Sequence, residues 1–561
     1  MKIDCAITLN LIVLVINFYF ESFVYAENLD GAPIVLINTG YIKGYYKTSN
    51  NGRKYRAFEG IPYAMPPVGK LRFQPPMQMF PWQGVALTNS FGSICMQYNP
   101  FLKKANNQIE GSEDCLYINV YTPITTNEEE LLPILFFIHG GEFQYSGGSL
   151  YDPKYLLDRD VILVTFNYRL GPLGFMSTED DVVPGNMGLK DQGLALRWTS
   201  DNAKALGGNN NKITIVGQGS GAASAQYHYQ SHWSAGYFQN GISASGTAFN
   251  SWALTEGSLE KTLMLGDLVG CPFRNVITIV ECMQHRPANQ LVGSVGEFLL
   301  LNNTPFAPFG PVVEKGGRYP FIEYDPITAF KEKKAQDLPW LTGVVSQEGL
   351  NAVGGFITNN EALTYINDKW EIVAPLILDF NRTIAIENQA SVANRIRHYY
   401  IRDKKIDSSL IKEFVQMASD RLYIVDAELA AKTYSQFYNS PVWFYYYNYK
   451  GTQSYSKFLS KTNYDLGVSH LDDIALIFET PFTNASNEPS DIHMREKLID
   501  IWVSFATNGT PNTDVYWKPL DPYSSHLNYL YINRPDKIYM DHTLHLGETS
   551  FWDSIDFNEN K

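Results

Sequence analysis

Five consecutive residues, Gly217-Gln218-Gly219-Ser220-Gly221, carry the clearest chemical signal in the chain. A β-branched run, Ile213-Thr214-Ile215-Val216, leads into Gly217, and alanine-rich sequence resumes at Ala222. Strand, sharp glycine turn and helix therefore follow one another. In that setting the pattern G-x-S-x-G raises a serine hydroxyl over the sheet edge for acyl transfer, and the residue after it lends its backbone N–H to an oxyanion hole. Here the middle position is Gly219 and the serine, Ser220, comes one place late. A hydroxyl on the neighbouring Cα leaves in another direction. The spacing predicts an acyl-transfer scaffold without its own nucleophile.

The elements needed to hold such a turn are present around it. Ile134–Ile138 and Val161–Asn167 are near-continuous apolar runs, as in strands buried on both faces of a mostly parallel sheet. Residues 188–206 have helical periodicity, and the turn's own strand comes next. Alternation of this kind predicts an α/β, doubly wound sheet. Upstream, the prolines of 62–67 forbid helix and demand a defined loop. Downstream, 359–412 reads as mixed helices, Pro441–Lys450 as an aromatic strand, and Glu496–Thr507 as an amphipathic helix ended by Asn508-Gly509.

Several phrases, in order, resemble the type-B carboxylesterase/cholinesterase family, and within it the insect secreted esterases. They are FEGIPYA from Phe58, SEDCLYINVYTP from Ser112, FIHGGEF from Phe137, NYRLGPLGF from Asn167, GNMGLKDQGLALRW from Gly185, GPVVE from Gly310 and GVSHLDD from Gly467. The match spans roughly Pro33 to Pro519. The resemblance implies an α/β-hydrolase fold, with cap or gorge helices in the second half. It identifies Glu348 with the family's catalytic acid and His470 with its base. It implies an oxyanion hole built from the N–H groups of Gly141, Glu142 and Ser220, in a loop where this chain has Glu142 in place of glycine or alanine. A carboxylate there opposes the charge such a hole stabilises. It also implies structural ion pairs Arg72–Glu113 and Arg169–Asp191.

The 561 residues and formal net charge of −14 disfavour nucleic acid and anionic membranes as partners. Residues 1–26 read as a signal peptide: Lys2, an apolar Ile7–Phe20, then Val24-Tyr25-Ala26. Residues 27–561 are expected to form a single domain with no membrane anchor. Cys5 falls in the leader; Cys95, Cys115, Cys271 and Cys282 remain, for which three connectivities exist. The resemblance implies Cys95–Cys115 and Cys271–Cys282. No metal site or cofactor is expected. Sequons at Asn302, Asn381, Asn484 and Asn508 suit a secreted glycoprotein.

The resulting expectation is a secreted, catalytically inactive carboxylesterase-like protein that binds a hydrophobic small molecule or an extracellular protein. The alternative is an active esterase using Ser220, or a water activated by Glu348 and His470.

Overall fold

A computed structural model describes residues 31–560 apart from 103–107, 128, 273, 300, 302, 303, 305 and 482–485. The leader and the sequons at Asn302 and Asn484 lie outside the described residues.

An eleven-stranded mixed sheet organises the chain. Its strands are β1 (Tyr45–Thr48), β2 (Lys54–Pro62), β3 (Tyr117–Pro123), β4 (Leu132–Ile138), β5 (Ile162–Phe166), β6 (Gly208–Gln218), β7 (Asn240–Ala244), β8 (Trp340–Val345), β9 (Val442–Tyr447), β10 (Leu527–Arg534) and β11 (Lys537–Thr543). The spatial order is β11-β10-β9-β8-β7-β6-β4-β5-β3-β2-β1. From β5 through β4, β6, β7, β8 and β9 to β10 every pairing is parallel; the antiparallel pairings lie towards the two ends.

The apolar runs behave as their lack of alternation demands, since both faces of the sheet are covered. Ile134, Phe136 and Ile138 of β4 face one core, shared with helices α1 (Met187–Asn202) and α2 (Ser220–Gln230) through Ala195, Leu196, Ala223 and Tyr227. That core also takes residues of α3 (Ser258–Leu268) and α4 (Val425–Phe437). Leu135 and Phe137 face a second core, filled from α5 (Pro489–Asn508) by Leu498, Trp502 and Phe505.

Three boundaries differ from the sequence reading. Within the phrase SEDCLYINVYTP the strand begins only at Tyr117, because Cys95 and Cys115 are joined and the preceding residues form that link's loop. The last long helix starts at Pro489 rather than Glu496, since proline at a first helical turn needs no N–H acceptor. The helix expected over 188–206 breaks after Asn202 into a short 3-10 turn.

Both disulfides implied by the resemblance are formed, with Cα–Cα distances of 4.8 Å for Cys95–Cys115 and 5.7 Å for Cys271–Cys282. Arg72 meets Glu113 at 2.6 Å. The buried Arg169 grips Asp191 with two N–H groups, at 2.8 and 2.7 Å. That pair pins the segment after β5 to α1, and from it the Gly171 N–H donates to the Phe143 carbonyl at 2.8 Å. A buried ion pair thus steadies the loop containing Glu142. No described helix is long and apolar enough to cross a membrane.

Candidate functional site

The turn between β6 and α2 sits above the sheet's parallel centre. A Cβ on Gly217 would lie 2.0 Å from the Gly221 carbonyl oxygen, and one on Gly221 would lie 2.1 Å from that of Ile138. Glycine at both places is what lets strand and helix close this tightly. Gly219 between them holds φ 56° and ψ −119°, a conformation that strains any residue with a Cβ. A Cβ built there points at the His470 imidazole, 3.1 Å from Nε2.

His470 and Glu348 come from separate loops and meet beneath this turn. Glu348 follows β8; its Oε1 accepts the Val345 N–H at 2.8 Å, which fixes the carboxylate. Its Oε2 lies 2.6 Å from His470 Nδ1. Both side chains are buried. The loop bearing His470 is held by Asp472, whose carboxylate accepts from the Ser469 N–H, the Tyr455 N–H and the Ser454 hydroxyl. With Nδ1 donating to Glu348, the tautomer places a lone pair on Nε2. That is the form a general base requires.

The lone pair is already engaged. The Gln218 side-chain amide lies 2.7 Å from His470 Nε2 and donates to it. A carboxamide holds no acidic proton to surrender, so this contact orients the imidazole without activating anything. Gln218 went unnoticed in the sequence because it is the variable second position of the glycine-rich pattern. Its adjacency to a glycine without a side chain was the available signal.

Ser220 looks elsewhere. Its Oγ accepts the Phe143 N–H at 3.3 Å, tying α2 to the loop of Gly141 and Glu142. Ser220 and His470 line one cavity, yet no hydrogen bond joins them among the described residues. As the first residue of α2, Ser220 has a backbone N–H with no intrahelical acceptor, which suits it to an oxyanion contact.

Gly141, Glu142 and Phe143 all have positive φ, at 99°, 58° and 59°. The Glu142 carboxylate turns into the cavity, where Asn351 Nδ2 donates to Oε1 at 3.4 Å. Its charge is felt across the site. Burial first, then Glu142, holds the Tyr145 phenol well above its ordinary range; burial, Glu348 and Glu142 do the same for Tyr423. Asn351, Tyr145, Tyr423 and Tyr455 were not singled out from sequence, since each is an unremarkable residue until folding brings it to the cavity.

The cavity is narrow, about 60 Å³. A water molecule's share of liquid is about 30 Å³, whereas sites for larger organic ligands run from roughly 300 to 1,000 Å³. Among the described residues no group of histidine, cysteine, aspartate and glutamate is placed to hold a metal ion. Of the two described sequons, Asn508 ends α5 on the surface and Asn381 is half-buried.

Known proteins resemble this chain over most of its length. The Carboxylesterase family profile matches residues 31–552. The chain is 45% identical over 531 residues to "Venom carboxylesterase-6" of Apis mellifera, covering 94% of this chain and 95% of that one. It is 36% identical over 512 residues to "Juvenile hormone esterase" of Tribolium castaneum, covering 87% and 86%. Among solved structures, the juvenile hormone esterase of Manduca sexta with OTFP covalently attached superposes with a TM-score of 0.82 at 26% identity, over 93% of this chain and 99% of that one. The fold is that of the α/β-hydrolases. With a profile spanning nearly every described residue and relatives matched from end to end, the chain belongs to the carboxylesterase family.

Proposed function

We propose that this carboxylesterase-family protein acts by binding and does not hydrolyse esters. The reading is carried by one observation: the position facing His470 Nε2 is Gly219, and the imidazole is occupied by the Gln218 amide instead of a hydroxyl. Acyl transfer needs an oxygen there. In serine hydrolases, loss of the nucleophile lowers turnover by about 10⁶, and the remaining roughly 10³–10⁴ over water comes from binding and the oxyanion hole. The inward carboxylate of Glu142 works against even that remainder.

Water activated by Glu348 and His470 is the competing route. It would have to displace Gln218 and place a forming oxyanion near Glu142. The narrow cavity supports a small occupant at the old site, or a protein partner on the surface, over an enclosed bulky ester. The leader-like residues 1–26 and the two disulfides support a secreted protein working outside the cell.

The test is hydrolysis of a short-chain p-nitrophenyl ester by the wild-type protein beside His470→Ala and Ser220→Ala. All three should match the rate of a control protein of the same charge. Turnover that falls with either substitution would mean the protein is an esterase.

A further inference from the structure

A second cavity, of about 250 Å³, opens behind Trp252, whose indole also lines the first one. It approaches the lower bound of ordinary ligand sites, ~300 Å³. Leu254, Met264, Phe298 and Leu376 give it apolar walls. Lys261, on α3, is its one lysine, and among the described residues no salt bridge engages the Lys261 amine. The other cation, Arg382, is spent on Glu260 at 2.6 Å. Four acidic residues, Glu256, Glu260, Glu297 and Asp379, also line the cavity. An anionic ligand would meet net repulsion here, whereas a neutral one would not.

We infer that this cavity binds a neutral, mainly apolar aldehyde and holds it reversibly as an imine on the Lys261 amine. Imine formation balances with the amine and the aldehyde alone. The amine nitrogen adds to the carbonyl carbon, the carbonyl oxygen takes up a proton, and the resulting carbinolamine loses water as nitrogen gives up its own proton. No electron donor or acceptor is needed. Burial is the main force pushing the Lys261 ammonium down to about 8. Its unprotonated fraction near neutral pH is then on the order of 100 times that of an ordinary lysine. Burial likewise raises the carboxyls of Glu256 and Asp379 above their ordinary values. The inference concerns a separate cavity and stands whether or not the first site is hydrolytically silent.

The experiment treats the full secreted chain with hexanal and cyanoborohydride at pH 7.4, then maps adducts by peptide mass spectrometry. The protein is first treated with a deglycosylating enzyme, because Asn381, of the sequon Asn381-Arg382-Thr383, lines the cavity. Lys261 should acquire a hexyl group at least tenfold faster than any other lysine, with a rate rising to half-maximum near pH 8. Lys261→Arg should lose that adduct while keeping its melting temperature, and Glu256→Gln should slow labelling severalfold. Adducts spread over lysines according to exposure would overturn the inference. So would stronger protection of Lys261 by hexanoate than by 1-hexanol, since that would mark an anion site.

Discussion

The two halves of the candidate site differ in kind. On one side Glu348 and His470 keep the geometry of a working acid–base pair: buried, 2.6 Å apart, with the carboxylate anchored by a backbone N–H and the proton on Nδ1. On the other side the turn keeps its backbone, including the strained torsions at Gly219, but presents no hydroxyl to the imidazole. The comparison teaches that a fold can hold an acid–base pair in register beside a turn that presents it no hydroxyl. Glu348 and His470 are also packing residues, embedded between two loops. Gly219 is held through its backbone alone, its N–H donating to the Ala244 carbonyl and its own carbonyl accepting from the Ala222 and Ala223 N–H groups, so the turn keeps its shape without a side chain there. The price of a Cβ in that torsion, about 1–3 kcal/mol, is one the glycine avoids.

The largest test of this difference is to rebuild the missing half. Gly219→Ser combined with Glu142→Gly should raise kcat for a p-nitrophenyl ester over wild type by on the order of 10⁴ to 10⁶. Gly219→Ser alone should gain about 10² less, because Glu142 still faces the oxyanion. Failure of the double variant would locate a further defect in the half read as intact, with Gln218 the first residue to change.

In that rebuilt background Glu348→Gln should cost about 10³ to 10⁴ in kcat, by releasing the tautomer that leaves Nε2 free to accept. In the wild-type protein the same change should leave hydrolysis where it was, at background. A drop in wild-type turnover would show that the pair is already in use.

The acid–base half should also be the pH-sensitive one. Burial, then the charge of Glu348, pushes the Asp473 carboxyl up to about 6. A carboxyl raised on folding stabilises the fold fully below its unfolded value near 4, and that contribution disappears as pH rises through about 6. Wild type should therefore lose up to about 3 kcal/mol of stability from pH 4 to pH 7 that Asp473→Asn retains, read from urea midpoints at both pH values.

The smallest effect expected is on the rebuilt turn itself. Gly219→Ser should lower stability by about 1–3 kcal/mol, seen as a shift in denaturation midpoint without a change in slope. A neutral or stabilising serine would mean that the torsions at 219 relax when a side chain is present.

Much of the architecture was legible in the sequence for physical reasons. The runs in β4 and β5 lack alternation because both of their faces are covered, and the glycines at 217 and 221 mark a turn that tolerates no Cβ. Glu348 and His470 were reachable through motif resemblance, not through spacing; they lie 122 positions apart, and nothing local says that they touch. What could not be read was side-chain direction. That Gln218 turns onto His470, and that Glu142 turns inward to Asn351, depend on which contacts the folded loops leave open. Cavity size was equally out of reach, because aromatic content says nothing of whether tyrosines line a space or fill it.

The most direct measurement is covalent labelling with a fluorophosphonate, read by intact-mass and peptide spectrometry on wild type and Gly219→Ser side by side. Wild type should stay unmodified, and the variant should carry a single adduct at position 219. A stoichiometric adduct on Ser220 of the wild-type protein, lost in His470→Ala, would contradict the binding-only reading.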